Sequence, residues 1–168
     1  DTLASFHIYE TPTNDMSVVL GSHEASLIDL VSAYARLANG GKDITPSFIR
    51  TIKDGQNVIF SQPTEFKDVT LNNNNFADYL PELHTMLQDV TEHGTAYTPF
   101  RSLKKPVMGK TGTSNNVHDS WFVGFSGDYV IGVHIGFDSP KSLGDHEFGS
   151  TVAAPVAADI FSQIDTTK

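Results

Sequence analysis

The sequence contains no cysteine, so disulfide frameworks and cysteine-based zinc sites are excluded from the start. It also lacks any run of Lys or Arg. Its 11 basic residues are outnumbered by 20 acidic ones, and the net charge of −9 removes the footprint that nucleic acid or an anionic membrane would require. Long apolar runs are missing too: the charge-free stretches fall far short of the ~20 residues a membrane helix needs. There is no internal repeat and no targeting segment, and the chain opens at Asp1 without a Met, which predicts a processed or cut piece of something longer. What is present suits one folded domain. With 168 residues, 39% of them hydrophobic and 18% charged, the chain can bury a single core and lacks the charge excess of a disordered segment.

The first 20 residues read as an irregular lead-in, with turn chemistry at Thr11-Pro12-Thr13-Asn14-Asp15. Ser26 and Asp29 then stand three apart like a capping box, ahead of Leu27, Leu30, Val31, Tyr34, Leu37 and Ala38 on a helical period. Asn39-Gly40-Gly41 supplies left-handed residues that close the helix. Ser47 to Lys53, Asp54-Gly55 and Gln56 to Phe60 read as a β-hairpin, followed by a polar loop over 61–75. A second helix is expected from Phe76 to Val90, beginning near Asp78 and Pro81 and closed by His93-Gly94. The last third is β-rich, with strands expected over Pro106–Thr113, Ser120–Phe125 and Tyr129–Phe137. Turns fall at Asn115–Asp119 and Ser126-Gly127-Asp128, the latter making the last two strands antiparallel. Ser150 to Ile164 reads as an amphipathic helix, provided Pro155 lies in its first turn. Trp121, Phe122, Phe125 and Phe137 are expected to pack the sheet against that helix. The fold class is α+β.

The stretch that carries chemistry is Lys110-Thr111-Gly112-Thr113. On a strand with a period of two, Thr111 and Thr113 share a face, about 7 Å apart along the chain. Their hydroxyls can jointly hold one carboxylate, with Lys110 supplying positive charge nearby. Gly112, lacking a Cβ, admits the close approach of another backbone. This combination suits an extended ligand laid along a sheet edge and anchored by its carboxylate, with the Thr113 N–H as an oxyanion donor. A phosphate-binding loop is ruled out, because the Gly it requires five residues before Gly109 is Lys104.

Two serine motifs nearby are decoys. Ser102-Leu103-Lys104-Lys105 has Ser-x-x-Lys spacing, but Pro106 pushes Lys105 into an extended shape. Extended residues three apart face opposite ways, about 10 Å apart. Ser114-Asn115-Asn116 has Ser-x-Asn spacing but lies in the turn directly after the strand, unable to face a ligand beside it. His118-Asp119 and Asp145-His146-Glu147 resemble metal ligands, yet sequence neighbours rarely converge on one ion, and no metal or cofactor is expected. His93 is expected to sit at a helix end. A Ser-His-Asp triad has no Gly-x-Ser-x-Gly elbow to support it.

Taken in order, several stretches resemble the C-terminal half of the transpeptidase domain of penicillin-binding proteins, most of all the bifunctional class A type. They are Gly21-Ser22 with Glu24, Ser32 to Ala35, Ala38 to Gly41, Leu87 to Val90 with Gly94-Thr95, Lys110 to Thr113, Asp119 to Gly124 and Gly132 to Asp138. The likeness spans roughly residues 17 to 161, and an ordered series of this kind is far more specific than one triplet. Leu27 departs from it, standing where the family usually has Pro.

The resemblance implies a partial serine β-lactamase/transpeptidase-like fold, with all of 1–168 forming the C-terminal part of one domain. Residues 1–20 would be its lead-in, 21–105 helices and a small hairpin, and 106–168 three antiparallel strands and a helix. It further implies that Lys110 polarises the site, that Thr111, Gly112 and Thr113 bind the carboxylate of substrate or β-lactam, and that the Thr113 N–H completes the oxyanion hole. The nucleophilic Ser, its Lys and the Ser-x-Asn loop would precede this region, so the chain alone should be inactive and pair with the N-terminal half of the same domain. The implied substrate is a peptidoglycan stem peptide ending in D-Ala-D-Ala, outside the cytoplasmic membrane, with any membrane contact made by an N-terminal anchor of the parent protein. A non-catalytic peptide- or β-lactam-binding module, and a serine β-lactamase or D,D-carboxypeptidase, are the alternatives.

Overall fold

The structure is a computed structural model that describes Ile8, Gly21 and residues 24–62 and 76–164. The expected turn at Thr11 to Asp15, Ser22, and most of the polar loop over 61–75 lie outside those residues. The described elements are helix α1 (Leu27–Ala38), strands β1 (Thr51–Asp54) and β2 (Asn57–Ser61), helix α2 (Phe76–Glu92), a short helix α3 (Tyr97–Phe100), strands β3 (Met108–Thr113), β4 (Asp119–Ser126) and β5 (Tyr129–Gly136), and helix α4 (Ala154–Gln163). Strands β1 and β2 form an exposed hairpin, and β3, β4 and β5 form an antiparallel sheet in that order. No described helix is long and apolar enough to cross a membrane. The α+β expectation holds.

The start of α1 follows its sequence signal. Ser26 caps the helix, its Oγ accepting the Asp29 N–H at 3.2 Å. The Asp29 carboxylate does not close a reciprocal box; its Oδ2 accepts a hydrogen bond from the Ser26 hydroxyl at 2.5 Å. In the hairpin Asp54 pairs with Asn57, so Gly55-Gln56 forms the turn, and a bulge interrupts the ladder between Ile52 and Lys53. The strand expected from Ser47 begins at Thr51.

Two helix boundaries differ from expectation, both through proline. Pro81 lies inside α2 rather than in its first turn. It deprives the Ala77 carbonyl of its donor, but Ala77 and Pro81 are both exposed, so water can take that place. The C-terminal helix does not run continuously from Ser150. Gly149–Ala153 form one wide π turn, closed by the Ala154 N–H on the Gly149 carbonyl, and α4 follows with Pro155 at its start. Pro155 has no N–H to bond the Thr151 carbonyl, and the wide turn avoids needing one.

The sheet has two unlike faces, set by the period of two. Phe122 and Val133 point to one face and join Phe100, Val107, Ala153, Ala154, Ala157, Ala158 and Phe161 in the main core. Alanines at 154, 157 and 158 give α4 a flat apolar stripe, so Phe122 and Phe161 pack fully buried. The Phe122 and Phe100 rings stack at 4.9 Å. Trp121 and Phe125, expected against this helix, point the other way because they are odd steps from Phe122. Trp121 stacks on His134 at 4.0 Å, and Phe125 meets His84 edge-on at 5.2 Å. Phe137 is exposed beneath Lys141. On this second face α1 lies across β4 and β5. Gly132 makes that contact possible: a Cβ there would stand 2.5 Å from Val31 Cγ2 and 2.7 Å from Leu27 Cδ1. Leu27, the residue that departs from the resemblance, is thus a packing residue.

Candidate functional site

Strand β3 lies at one edge of the three-stranded sheet, with α2 beside it. The Ser114 N–H donates to the Asp119 carbonyl at 3.1 Å, which sets the phase of the β3–β4 ladder. Antiparallel pairs alternate, so the backbone groups of Lys110 and Gly112 point toward β4 and those of Val107, Thr111 and Thr113 point outward. Two side-chain bonds agree with this phase. Thr91 Oγ1 donates to the Val107 carbonyl at 2.6 Å, and Lys110 Nζ donates to the Thr111 carbonyl at 2.8 Å. The N–H of Thr113 therefore lies on the outer edge.

Thr111 pairs with Phe122 and Thr113 with Ser120, so the two threonines share a face of the sheet, as the strand period predicts. Lys110, opposite Val123, projects from the other face and bends back to the edge. Each threonine hydroxyl is already engaged. Thr113 Oγ1 accepts the Gly149 N–H at 3.0 Å, and Thr111 Oγ1 lies 2.7 Å from Thr95 Oγ1. Lys110 and Thr113 are exposed, while Thr111 and Gly112 are half-buried.

A close backbone approach does occur at Gly112, and it comes from the C-terminal turn. Gly149 sits over the Gly112–Trp121 pair, where a Cβ would collide with the Gly112 carbonyl and stand 2.6 Å from the Trp121 carbonyl. Buried Ser120 holds that turn, donating to the Phe148 carbonyl at 3.0 Å and accepting the Ala153 N–H at 3.2 Å.

The far end of the strand is fixed by Ser114 and Asp119. Asp119 Oδ2 accepts the Ser114 hydroxyl at 2.8 Å, and the Asp119 N–H donates to Ser114 Oγ at 2.8 Å. Asp119 Oδ1 lies 2.9 Å from His134 Nε2. That His134 contact, helped by Ser114 and outweighing the cost of burial, holds the Asp119 carboxyl below its ordinary range. Ser, His and Asp thus meet here, but in the wrong order for a catalytic triad. The carboxylate sits between the other two, so the imidazole has no serine to deprotonate.

The remaining candidates are dispersed. Ser102 to Lys105 lie in turn and bend rather than on a helix, and the Lys105 ammonium is taken by the Ile164 carbonyl. Ser114 leads into a 3₁₀ turn over Asn115–Val117. His93 follows α2 and lies 3.2 Å from Asp89. Among the described residues no group of three or more His, Asp or Glu could hold a metal. A cavity of about 290 Å³ includes Val107 in its lining but none of residues 108–113, so it lies off the Lys110–Thr113 stretch. Sequence reasoning missed Thr95, Gly149 and the Asp119–His134 contact. Gly94-Thr95 was visible only as part of a resemblance, without a role.

An antiparallel sheet set between helices, with Lys-Thr-Gly-Thr on its edge strand, defines a β-lactamase/transpeptidase-like arrangement. Comparison with known proteins bears this out: residues 10–162 match the penicillin binding protein transpeptidase domain. The chain belongs to the penicillin-binding protein transpeptidase family. It is 34% identical to penicillin-binding protein 1A of Rickettsia bellii, over 96% of this chain and 23% of that protein. It is also 34% identical to penicillin-binding protein 1A of Neisseria gonorrhoeae, over 92% of this chain and 19% of that protein. The chain thus spans about a fifth to a quarter of the curated relatives it matches. The expected class A kinship agrees with these relatives. Among solved structures, penicillin-binding protein 1A from Haemophilus influenzae superposes with a TM-score of 0.79 at 22% identity, covering 99% of this chain and 31% of that one.

Proposed function

We propose that this chain supplies the carboxylate-binding wall of a serine-type peptidoglycan D,D-transpeptidase. The observation that carries the reading is the outer edge of β3. It presents an ammonium, two hydroxyls on one face and the outward N–H of Thr113 within four residues, Lys110 to Thr113. A stem peptide ending in D-Ala-D-Ala, or a β-lactam, lies along this edge as an added strand. Thr111 and Thr113 hold its carboxylate and Lys110 adds charge. The Thr113 N–H donates to the oxygen that becomes negative as the acyl bond is attacked.

The nucleophilic serine comes from residues outside these 168, paired with this part of the domain, and the reaction takes place on the outer face of the bacterial cytoplasmic membrane. The serine oxygen attacks the carbonyl of the penultimate D-Ala, and the terminal D-Ala leaves carrying the proton. An amine of a second stem peptide then takes the acyl group as an amide and returns the serine hydroxyl. Labelling with a fluorescent penicillin tests the reading. The complete domain takes up label covalently, and the 168-residue chain alone does not. Label on the isolated chain would overturn the assignment of Ser102 and Ser114 as decoys.

A further inference from the structure

We propose that Thr95 is a positioning residue for the carboxylate-binding hydroxyl of Thr111, an inference that rests on the function proposed above. Thr95 belongs to the corner between α2 and α3, 16 residues from Thr111 in sequence, and their hydroxyl oxygens lie 2.7 Å apart. The backbone delivers Thr95 to this place. After α2 ends, the N–H groups of His93 and Gly94 both fall back on the Asp89 carbonyl, at 2.9 and 2.8 Å, and the Ala96 N–H reaches the Val90 carbonyl at 2.9 Å. The turn is so tight that a Cβ on Gly94 would stand 2.9 Å from Val90 Cα. Ala96, the next residue, is fully buried in the main core. One turn earlier Thr91 is bonded to the Val107 carbonyl. An exposed side chain is thus carried on backbone held from both sides and fastened to the strand it serves.

Counting hydrogens shows what Thr95 does there. A hydroxyl has one hydrogen to donate and two lone pairs to accept with. Thr113 receives an N–H from Gly149, which can only donate, so Thr113 keeps its own hydrogen for a ligand. Among the described residues, the partner of the Thr111 hydroxyl is Thr95. Either oxygen of that pair can donate, so the direction is set by whatever else is present. A carboxylate against Thr111 attracts the Thr111 hydrogen, and Thr95 then turns donor. The result is a chain from Thr95 to Thr111 to the carboxylate, in which each bond polarises the next. Thr95 thereby does for Thr111 what the Gly149 N–H does for Thr113. It touches the threonine and not the ligand.

The test is penicillin acylation of the complete transpeptidase domain, with the non-covalent binding constant separated from the acylation rate constant. Thr95→Val keeps the shape and removes the hydroxyl. It should weaken non-covalent binding by about three- to tenfold, the range of one hydrogen bond, and leave the acylation step unchanged. Thr95→Ser should restore binding. In a double-mutant cycle, Thr95→Val should cost nothing further once Thr111 is Val, because the effect passes through Thr111. Additive losses, normal binding by Thr95→Val, or failure of Thr95→Ser to rescue would each overturn the positioning role. If Thr111→Val itself binds penicillin normally, the carboxylate-binding reading falls first and takes the role of Thr95 with it. If Thr111→Val weakens binding and Thr95→Val does not, the role of Thr95 alone is overturned.

Discussion

The two ends of β3 belong to one six-residue strand, yet they are held by different means. At the start, the fixed groups are backbone carbonyls. Val107 accepts from Thr91 and Pro106 from buried Ser126 at 2.7 Å, and the adjoining core is aromatic and alanine-rich. At the finish, the held groups are side-chain hydroxyls. Thr111, Thr113 and Ser114 are bonded by exposed Thr95, buried Gly149 and half-buried Asp119. The first arrangement fixes where the strand lies. The second fixes how its polar side chains point while leaving them open to a ligand. A rigid base beneath an aligned, accessible tip is what precise binding demands, since a loose support would waste the geometry of the groups it carries.

Mutations at the two ends should therefore separate stability from binding. The largest effect is expected at the base. Phe122→Ala empties a fully buried site between Phe100 and α4 and should destabilise the domain by about 3–5 kcal/mol in denaturant unfolding. A loss below about 1 kcal/mol would show that the base is not what supports the strand. Lys110→Ala, at the exposed tip, should do the reverse. Unfolding should change by less than about 0.5 kcal/mol, while penicillin acylation of the complete domain drops by about 10²-fold. Unchanged acylation would remove Lys110 from the site.

Ser126→Ala should cost about 1 kcal/mol of stability, because buried Ser126 loses a part-buried hydrogen bond to the exposed Pro106, whose carbonyl water can partly satisfy, with acylation otherwise normal. The smallest effect is expected from Asp119→Asn. The folded carboxyl titrates below its ordinary value of 3.8, so its contribution is fully present above that pH and is lost as pH falls through the lower folded value. Thermal unfolding of the native protein should therefore decline more steeply than that of Asp119→Asn below about pH 4. Parallel curves would mean that the His134 contact adds nothing to the tip.

The parts of the fold that were legible in the sequence are those governed by local rules. Ser26 caps α1 because a short side-chain oxygen can reach an N–H three residues on, and Gly55 turns the hairpin at φ 58°. The shared face of Thr111 and Thr113 follows from the strand period alone, and residues 10–162 carry the family likeness as an ordered series. What could not be read depends on contacts between distant segments. The strand period puts Trp121 and Phe125 on the face opposite Phe122, but all three are apolar, and which face meets α4 is decided by packing between distant segments. Pro81 is tolerated inside α2 because its neighbourhood is exposed, which a propensity rule does not register. Thr95 meets Thr111 through a corner built by Asp89, Val90 and Gly94, and no sequence period links those positions. The Asp119–His134 contact likewise needs the β4–β5 register, in which Trp121 rather than Asp119 stands opposite His134.

The π turn before α4 couples two requirements that an ordinary helical turn would set against each other. Its extra width lets the Gly149 N–H reach Thr113 while Ala154, Ala157, Ala158 and Phe161 stay in phase with the sheet. Removing one residue from this turn would rotate the helix by about 100° relative to its anchor. Either the alanine stripe would leave the core or Gly149 would leave Thr113. The length of this segment is therefore constrained from both ends, by the packing of the last helix and by the carboxylate-binding strand.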